Sequence, residues 1–182
     1  MLNMKNPFIF GKKVYLRAPE AGDEQCAALC ENHPDPRETL FYPLPTSFEQ
    51  QRTKINKWVE DQATVLFTIC TIAENTPIGM TAFVRIDWIG RMATFYIAIG
   101  EKENWSQGYG TEVVNLMVRY GFETLNLNRI QLHVVKSNEK AIKAYKKAGY
   151  VIEGTLEQAM YFNNTYHDFY IMAILKQNWN SL

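Results

Sequence analysis

Between Val65 and Ile99 three strand-like runs follow one another with almost nothing between them. The runs are Val65 to Ala73, Ile78 to Ile86 and Met92 to Ile99; the separators are Glu74-Asn75-Thr76-Pro77 and Asp87 to Arg91. Connections this short close hairpins but cannot carry a crossover helix, so this stretch is predicted to be an antiparallel meander. After Ile99 the pattern changes. A polar, glycine-containing stretch leads into a long apolar helix from about Tyr109 to Leu125, followed by a strand from Arg129 to Val135. A short helix from Asn138 to Ala148 comes next, closed by Gly149 at the position of a C-terminal cap. The last two strands, Tyr150 to Tyr161 and Tyr166 to Leu175, are joined by the turn Asn163-Asn164.

Upstream of the meander, Lys13 to Arg17 alternates as a first strand that stops at Pro19, and a helix is expected over Asp23 to Glu31. Pro34, Pro36, Pro43 and Pro45 then break the chain into a loop, and a second helix from Phe48 to Asp61 puts Ile55, Trp58 and Val59 on one side. A meander feeding a helix, a strand and another helix implies an α/β (α+β) fold with a mixed sheet covered by helices.

At 182 residues and 47% hydrophobic content the chain can bury one core, and a single domain over residues 1–182 is expected. Lys plus Arg equals Asp plus Glu at 19 each, so no long-range field draws the chain to nucleic acid or an anionic membrane, and any bound anion must be met locally. No segment approaches the roughly 20 apolar residues that cross a bilayer, and the N-terminus lacks a leader pattern. A cytoplasmic location is expected. The three cysteines fit a reducing compartment. Cys26, Cys30 and His33 would share one helix face, a spacing that metal ligands also use, but no fourth ligand is in sight and no metal is expected.

Two segments carry chemistry. In Trp105-Ser106-Gln107-Gly108-Tyr109-Gly110-Thr111-Glu112, two glycines let the backbone turn sharply and expose consecutive N–H groups at the positive end of the following helix. That is an anion cradle. No Gly-Lys-Ser/Thr follows, and Val113 stands where a dinucleotide fingerprint has its third glycine, so the P-loop and dinucleotide readings fall away. A pyrophosphate held without a Walker lysine remains, beside the purely structural reading of a glycine turn that caps a core helix. In the second segment, residues 138–150, Asn138 and Tyr145 are seven apart, close to two helical turns. An amide and a phenol therefore share a face kept shallow by Ala141 and Ala144, along which a bound chain would lie. The alternative is an ordinary amphipathic helix with Asn138 as N-cap and a packed tyrosine.

Together these segments resemble the GNAT superfamily of N-acetyltransferases, in particular its RimJ/RimL-like branch. Leu16-Arg17, Ile99-Gly100-Glu101-Lys102, Gln107 through Glu112, Leu127-Asn128-Arg129-Ile130, Asn138 through Tyr150, Glu153-Gly154-Thr155-Leu156 and His167-Asp168 fall in the family's order and spacing. The resemblance implies a mostly antiparallel sheet of six to seven strands, split between the fourth strand (Met92 to Ile99) and the fifth (Arg129 to Val135). The pantetheine arm of acetyl-CoA would lie in the split against the backbone of Ala98 and Ile99. Trp105, Ser106, Gln107, Gly108, Tyr109, Gly110 and Thr111 would hold the pyrophosphate, and Asn138 would contact the pantetheine. Tyr145 would protonate the departing thiolate, a step its chemistry allows, since a phenol titrates at about 10 and a thiol at about 8.5. The reaction would be direct attack of a neutral primary amine on the thioester, the oxyanion being met by a fourth-strand N–H. Acetyl-CoA and an amine acceptor are thus the expected partners, with a homodimer by analogy.

Two positions depart from the family pattern. Trp105 stands where a Gln or Arg is usual, which leaves a backbone cradle intact. Thr94 stands where the branch often has a glutamate, and a hydroxyl cannot serve as the base. Asp87, His133, Glu157, Asp168 or a water held by Thr94 are the candidate replacements, each also readable as structural. Glu112 reads as a helix-start carboxylate. Lys136, Lys140, Lys143, Lys146 and Lys147 read as a solvated face, one or two of them within reach of the CoA 3′-phosphate. Trp58, Phe83, Trp88, Phe95, Tyr161 and Phe162 are candidates for an acceptor pocket, or simply core. Small amines and protein N-termini both remain open as acceptors. The loss of the glutamate also leaves a second function class open, a non-catalytic acyl-CoA-binding module.

Overall fold

A computed structural model describes residues 4–40 and 42–179. Eight strands form one sheet: β1 (Ile9–Phe10), β2 (Val14–Arg17), β3 (Val65–Thr71), β4 (Pro77–Asp87), β5 (Met92–Ile99), β6 (Arg129–Val135), β7 (Val151–Phe162) and β8 (Thr165–Leu175). Their order is β1-β2-β3-β4-β5-β6-β8-β7. Every neighbouring pair is antiparallel except β5 with β6. The mixed, mostly antiparallel sheet agrees with the sequence reading, and the extra strand is β1, whose two residues are too few to carry a periodic signal.

Five helices cover the sheet: α1 (Asp23–Asn32), α2 (Pro34–Leu40), α3 (Phe48–Glu60), α4 (Tyr109–Arg119) and α5 (Glu139–Lys147). Helix α2 corrects the expectation of a loop after Pro34. A proline in the first turn of a helix loses no hydrogen bond, since those N–H groups have no intrahelical partner, and both Pro34 and Pro36 lie there. Helix α3 starts in a capping box between Ser47 and Gln50. Helix α4 runs on into a π-helical turn, Tyr120–Thr124, in which Gly121 sits against the sheet. A Cβ there would meet Ile130 Cδ1 at 2.8 Å and Phe83 Cζ at 2.9 Å.

The two faces of the sheet differ. On one face, Phe83, Ala93, Phe95, Ile130, Leu132 and Val134 pack with Val113, Met117 and Phe122 from α4 and with Tyr145 from α5. On the other, Met80 and Ala82 pack with Ala27 from α1, Ile55 from α3 and the half-buried Trp58 and Tyr96. Helix α1 is fixed by a buried ion pair. The Arg17 guanidinium, at the end of β2, grips Asp23 through two hydrogen bonds of 2.7 and 2.8 Å, and Thr68 of β3 donates to the same carboxylate at 2.7 Å. Burial pushes the Asp23 carboxyl up, but the bonds from Arg17 and Thr68 outweigh it and leave the group below the ordinary aspartate value.

Candidate active site

Strands β5 and β6 pair over three rungs only: Met92 with Arg129, Ala93 with Ile130 and Thr94 with Gln131. Beyond Thr94 they part, so residues 95–99 and 132–135 face each other across a gap that is the split expected from the sequence. Along β5 the backbone groups alternate between the two neighbours. Gly100 N donates to Ile78 O at 3.0 Å, and the Ala98 carbonyl is turned onto β4, where a Cβ on Gly79 would stand 2.0 Å from it. The groups of Phe95, Ile97 and Ile99 therefore face the gap. Of the two residues expected along the arm, Ile99 is placed there; Ala98 is turned away, and Ile97 stands in its stead. The Ile99 carbonyl accepts a hydrogen bond from Trp105 Nε1 at 3.0 Å. Trp105 thus braces the loop against the end of β5.

The loop at the mouth of the gap turns through two left-handed residues, Ser106 (φ 61°) and Gly108 (φ 88°), the second being the N-cap of α4. Ser106, Gln107 and Gly108 are exposed, and Tyr109, Gly110 and Thr111 form the half-buried first turn of the helix. Two ammonium groups flank this turn. Lys13 Nζ, from the β1–β2 hairpin, donates to Gln107 O at 2.8 Å, and Lys140 Nζ, from α5, donates to Ser106 Oγ at 3.3 Å. Composition alone did not single out Lys13. Glu112 is tied to the same hairpin, accepting from the backbone N–H groups of Lys12 and Lys13, so its carboxylate is already engaged. Of the other α5 lysines, Lys143, Lys146 and Lys147 line an open groove with Lys136, Ile152 and Tyr170, away from the loop.

Asn138 caps α5, its Oδ1 accepting from Ala141 N at 3.1 Å. Two turns on, Tyr145 is buried and packs edge-on against Phe95, ring centroids 6.3 Å apart, with Tyr150 at 5.8 Å behind it. Burial raises the Tyr145 phenol well above its ordinary value, which keeps it protonated. The loop with its exposed N–H groups, the gap-facing backbone of β5 and the buried phenol of Tyr145, packed on Phe95, follow one another from the mouth of the gap inward.

Residues 13–151 match the acetyltransferase (GNAT) domain family. The spermidine N(1)-acetyltransferase of Vibrio cholerae is 32% identical over 164 residues, covering 90% of this chain and 94% of that protein. The Escherichia coli K12 spermidine N(1)-acetyltransferase is 30% identical over 91% of this chain and 88% of its own length. The crystal structure of the Vibrio cholerae spermidine N-acetyltransferase in complex with CoA and spermine superposes with a TM-score of 0.85 at 31% identity, covering 92% of this chain and 98% of that one. The chain belongs to the GNAT acetyltransferases. Its chemistry is acetyl-CoA-dependent transfer of an acetyl group to an amine.

The face of the sheet opposite Tyr145 carries Thr94, Tyr96 and His133. The Tyr96 hydroxyl is 2.7 Å from that of Tyr42, and the Tyr96 ring meets Trp58 edge-on at 5.6 Å. Beside them the Lys54 ammonium, 5.1 Å from the Tyr42 ring and 5.5 Å from the Trp58 ring, is bound to the Glu31 carboxylate, which also accepts from Gln51 at 2.6 Å. A small crevice lined by Glu31, Gln51, Lys54, Trp58 and Tyr96 opens there. Only Trp58 of the aromatic residues proposed for an acceptor pocket is present. Phe83 is core, Phe95 backs Tyr145, Trp88 bonds Gln62 O in the β4–β5 turn, and Tyr161 stacks on Tyr166 in the β7–β8 hairpin. Among the described residues no group of three His, Cys, Asp or Glu side chains is arranged to hold a metal; Cys26 and Cys30 are free thiols, joined only by a hydrogen bond on α1. Among the described residues no helix is long and apolar enough to cross a membrane.

Proposed function

We propose that this one-domain chain, of the RimJ/RimL-like branch, acetylates a small aliphatic polyamine in the cytoplasm. Acetyl-CoA would enter with its pyrophosphate on the N–H groups of residues 105–111, neutralised from the sides by Lys13 and Lys140. Its pantetheine would run along the gap-facing groups of Ile97 and Ile99 and past Asn138, bringing the thioester to Tyr145. The gap-facing N–H groups of β5 would meet the developing oxyanion, and Tyr145 would protonate the sulfur as the C–S bond breaks.

The observation that carries the acceptor class is the Lys54 ammonium. Its contacts support a site suited to a primary aliphatic cation, since Lys54 rests on two aromatic rings and a carboxylate. A polyamine presents the same group, and the two spermidine acetyltransferases named above are similar over nearly the whole chain. With zero formal net charge the chain offers no distant attraction, so recognition of a polycation must be local. A homodimer is the assembly we favour. Strand β7 ends the sheet, with β8 its one neighbour there and with Val151, Ile152, Leu156 and Tyr161 exposed, a surface suited to a second copy.

The test is CoA release over a panel of spermidine, spermine, monoamines and N-terminal peptides. Turnover of polyamines at low concentration is expected. Acetylation of peptides alone would overturn the acceptor class, and tight CoA binding with no turnover on any amine would favour a binding module.

A further inference from the structure

We propose that His133 is the general base that takes the acceptor's proton before attack, the role that Thr94 leaves open; the assignment rests on the N-acetyltransferase reading above. Thr94 and Gln131 form the last rung before β5 and β6 part. His133 is two residues further along β6. Its neighbours Leu132 and Val134 point into the core under α4 and α5, so strand alternation sends His133 to the opposite face, where it is exposed beside Thr94 and Tyr96. Tyr145 stands on the core face, against Phe95. Phe95 lies between Thr94 and Tyr96, so the phenol and the imidazole stand on opposite faces of the sheet beside the opened gap. Gln131 is the rung partner of Thr94, so His133 follows on the same face where the two strands open, and an amine or one water in the gap would meet it there.

The surroundings suit a base. Arg85, thrown out at a bulge of β4 with φ 53°, is the charged group that faces His133. Strand β5 presents the Thr94 hydroxyl and the buried Tyr96 phenol on that face, and β8 presents Ile171 directly opposite. From the helices, Lys54 and Glu31 are spent on each other. Burial, and then Arg85, lower the imidazole below its ordinary value and keep it neutral at physiological pH. The other candidates are engaged elsewhere or turned outward. Asp87 accepts from Ile89 N and Gly90 N in the β4–β5 turn, at the closed end of the gap. Asp168 is bound to Lys136 and to Gln158 N, and Glu157 is exposed on β7.

The acceptor ammonium gives one proton to the imidazole, directly or through one water, and the imidazolium releases it to solvent. The free amine forms the C–N bond to the thioester carbon, the C–S bond breaks, and the thiolate takes the Tyr145 proton. The phenolate recovers a proton from the former amine nitrogen, which leaves a neutral amide and a thiol.

The pH dependence of kcat/KM for the wild type and His133→Gln, with acetyl-CoA affinity measured by calorimetry, tests the assignment. In the wild type the rate rises through an ionisation below the ordinary imidazole value. His133→Gln binds acetyl-CoA normally, loses about 100-fold in kcat and loses that limb; His133→Ala recovers rate with added imidazole, while Asp168→Asn keeps both rate and limb. A limb that persists in His133→Gln overturns the proposal, whatever happens to kcat. A wild type that binds no acetyl-CoA and releases no CoA sinks the N-acetyltransferase reading itself, whereas an active wild type with a normal His133→Gln removes His133 alone.

Discussion

The two sides of the split are made of different material. The proposed cofactor side is mostly backbone: N–H groups at residues 105–111, the gap-facing groups of Ile97 and Ile99, and one phenol set by a helix. The proposed acceptor side is mostly side chains, gathered from α1, α3, β4, β5 and β6 and spread in sequence from Glu31 to His133. A backbone site needs glycines and a helix start at fixed spacing, which keeps it the same whatever the acceptor. A side-chain site is free to change residue by residue, and Thr94 is one such change.

The largest effect that would sharpen this contrast lies under the acceptor side. Arg17→Ala leaves Asp23 buried without its partner and is expected to cost about 3–5 kcal/mol of unfolding free energy, read by denaturant titration. The same pair sets an acid limit. Because the folded Asp23 carboxyl lies below its unfolded value of about 3.9, its contribution is present above that pH and is lost as pH falls through the folded value. Arg17→Ala loses that acid dependence along with the stability. If the acceptor helices are held independently of this pair, stability will hardly move.

Next in size is Tyr145→Phe, where a fall of about 100-fold in kcat with little change in acetyl-CoA affinity is expected. The wild-type alkaline limb lies above the ordinary phenol value, since burial raises this group. An unchanged rate would remove the acid and leave the cofactor side purely a matter of backbone. The smallest of the three is Gly108→Ala. A Cβ there meets only Lys13 Nζ at 3.5 Å, so the cost is conformational, about 1–2 kcal/mol for a left-handed residue. The alanine loop relaxes out of the left-handed turn in the free enzyme, and restoring the turn on binding costs that amount, about tenfold weaker binding of acetyl-CoA by calorimetry with kcat preserved. A fall in kcat at saturating acetyl-CoA would show that the loop also positions the thioester.

What could be read from sequence follows the same division. The meander, the split and the loop were legible because short separators, a two-residue period and paired glycines each have one cheap structural solution. Helix α2 was missed because prolines were read as breakers without asking whether they lay in a first turn. Ala98 was set on the gap side because the parity of a strand depends on its partner's register, which no single sequence states. Arg85 and Lys54 carried no motif. Arg85 matters through a bulge that shifts the pairing of β4 with β5, and Lys54 through the approach of α3 to α1, both products of tertiary packing. Lys13 reaches the loop only because Glu112 pins its hairpin to α4.

The three rungs between β5 and β6 make that seam a thermodynamic lever. Whatever settles in the gap binds the folded chain and not the unfolded one, adding about 2.7 kcal/mol to unfolding at a ligand concentration one hundred times its Kd. Melting temperature and resistance to proteolysis then rise with the supply of acyl-CoA, so the survival of the enzyme is metered by the same metabolite it spends.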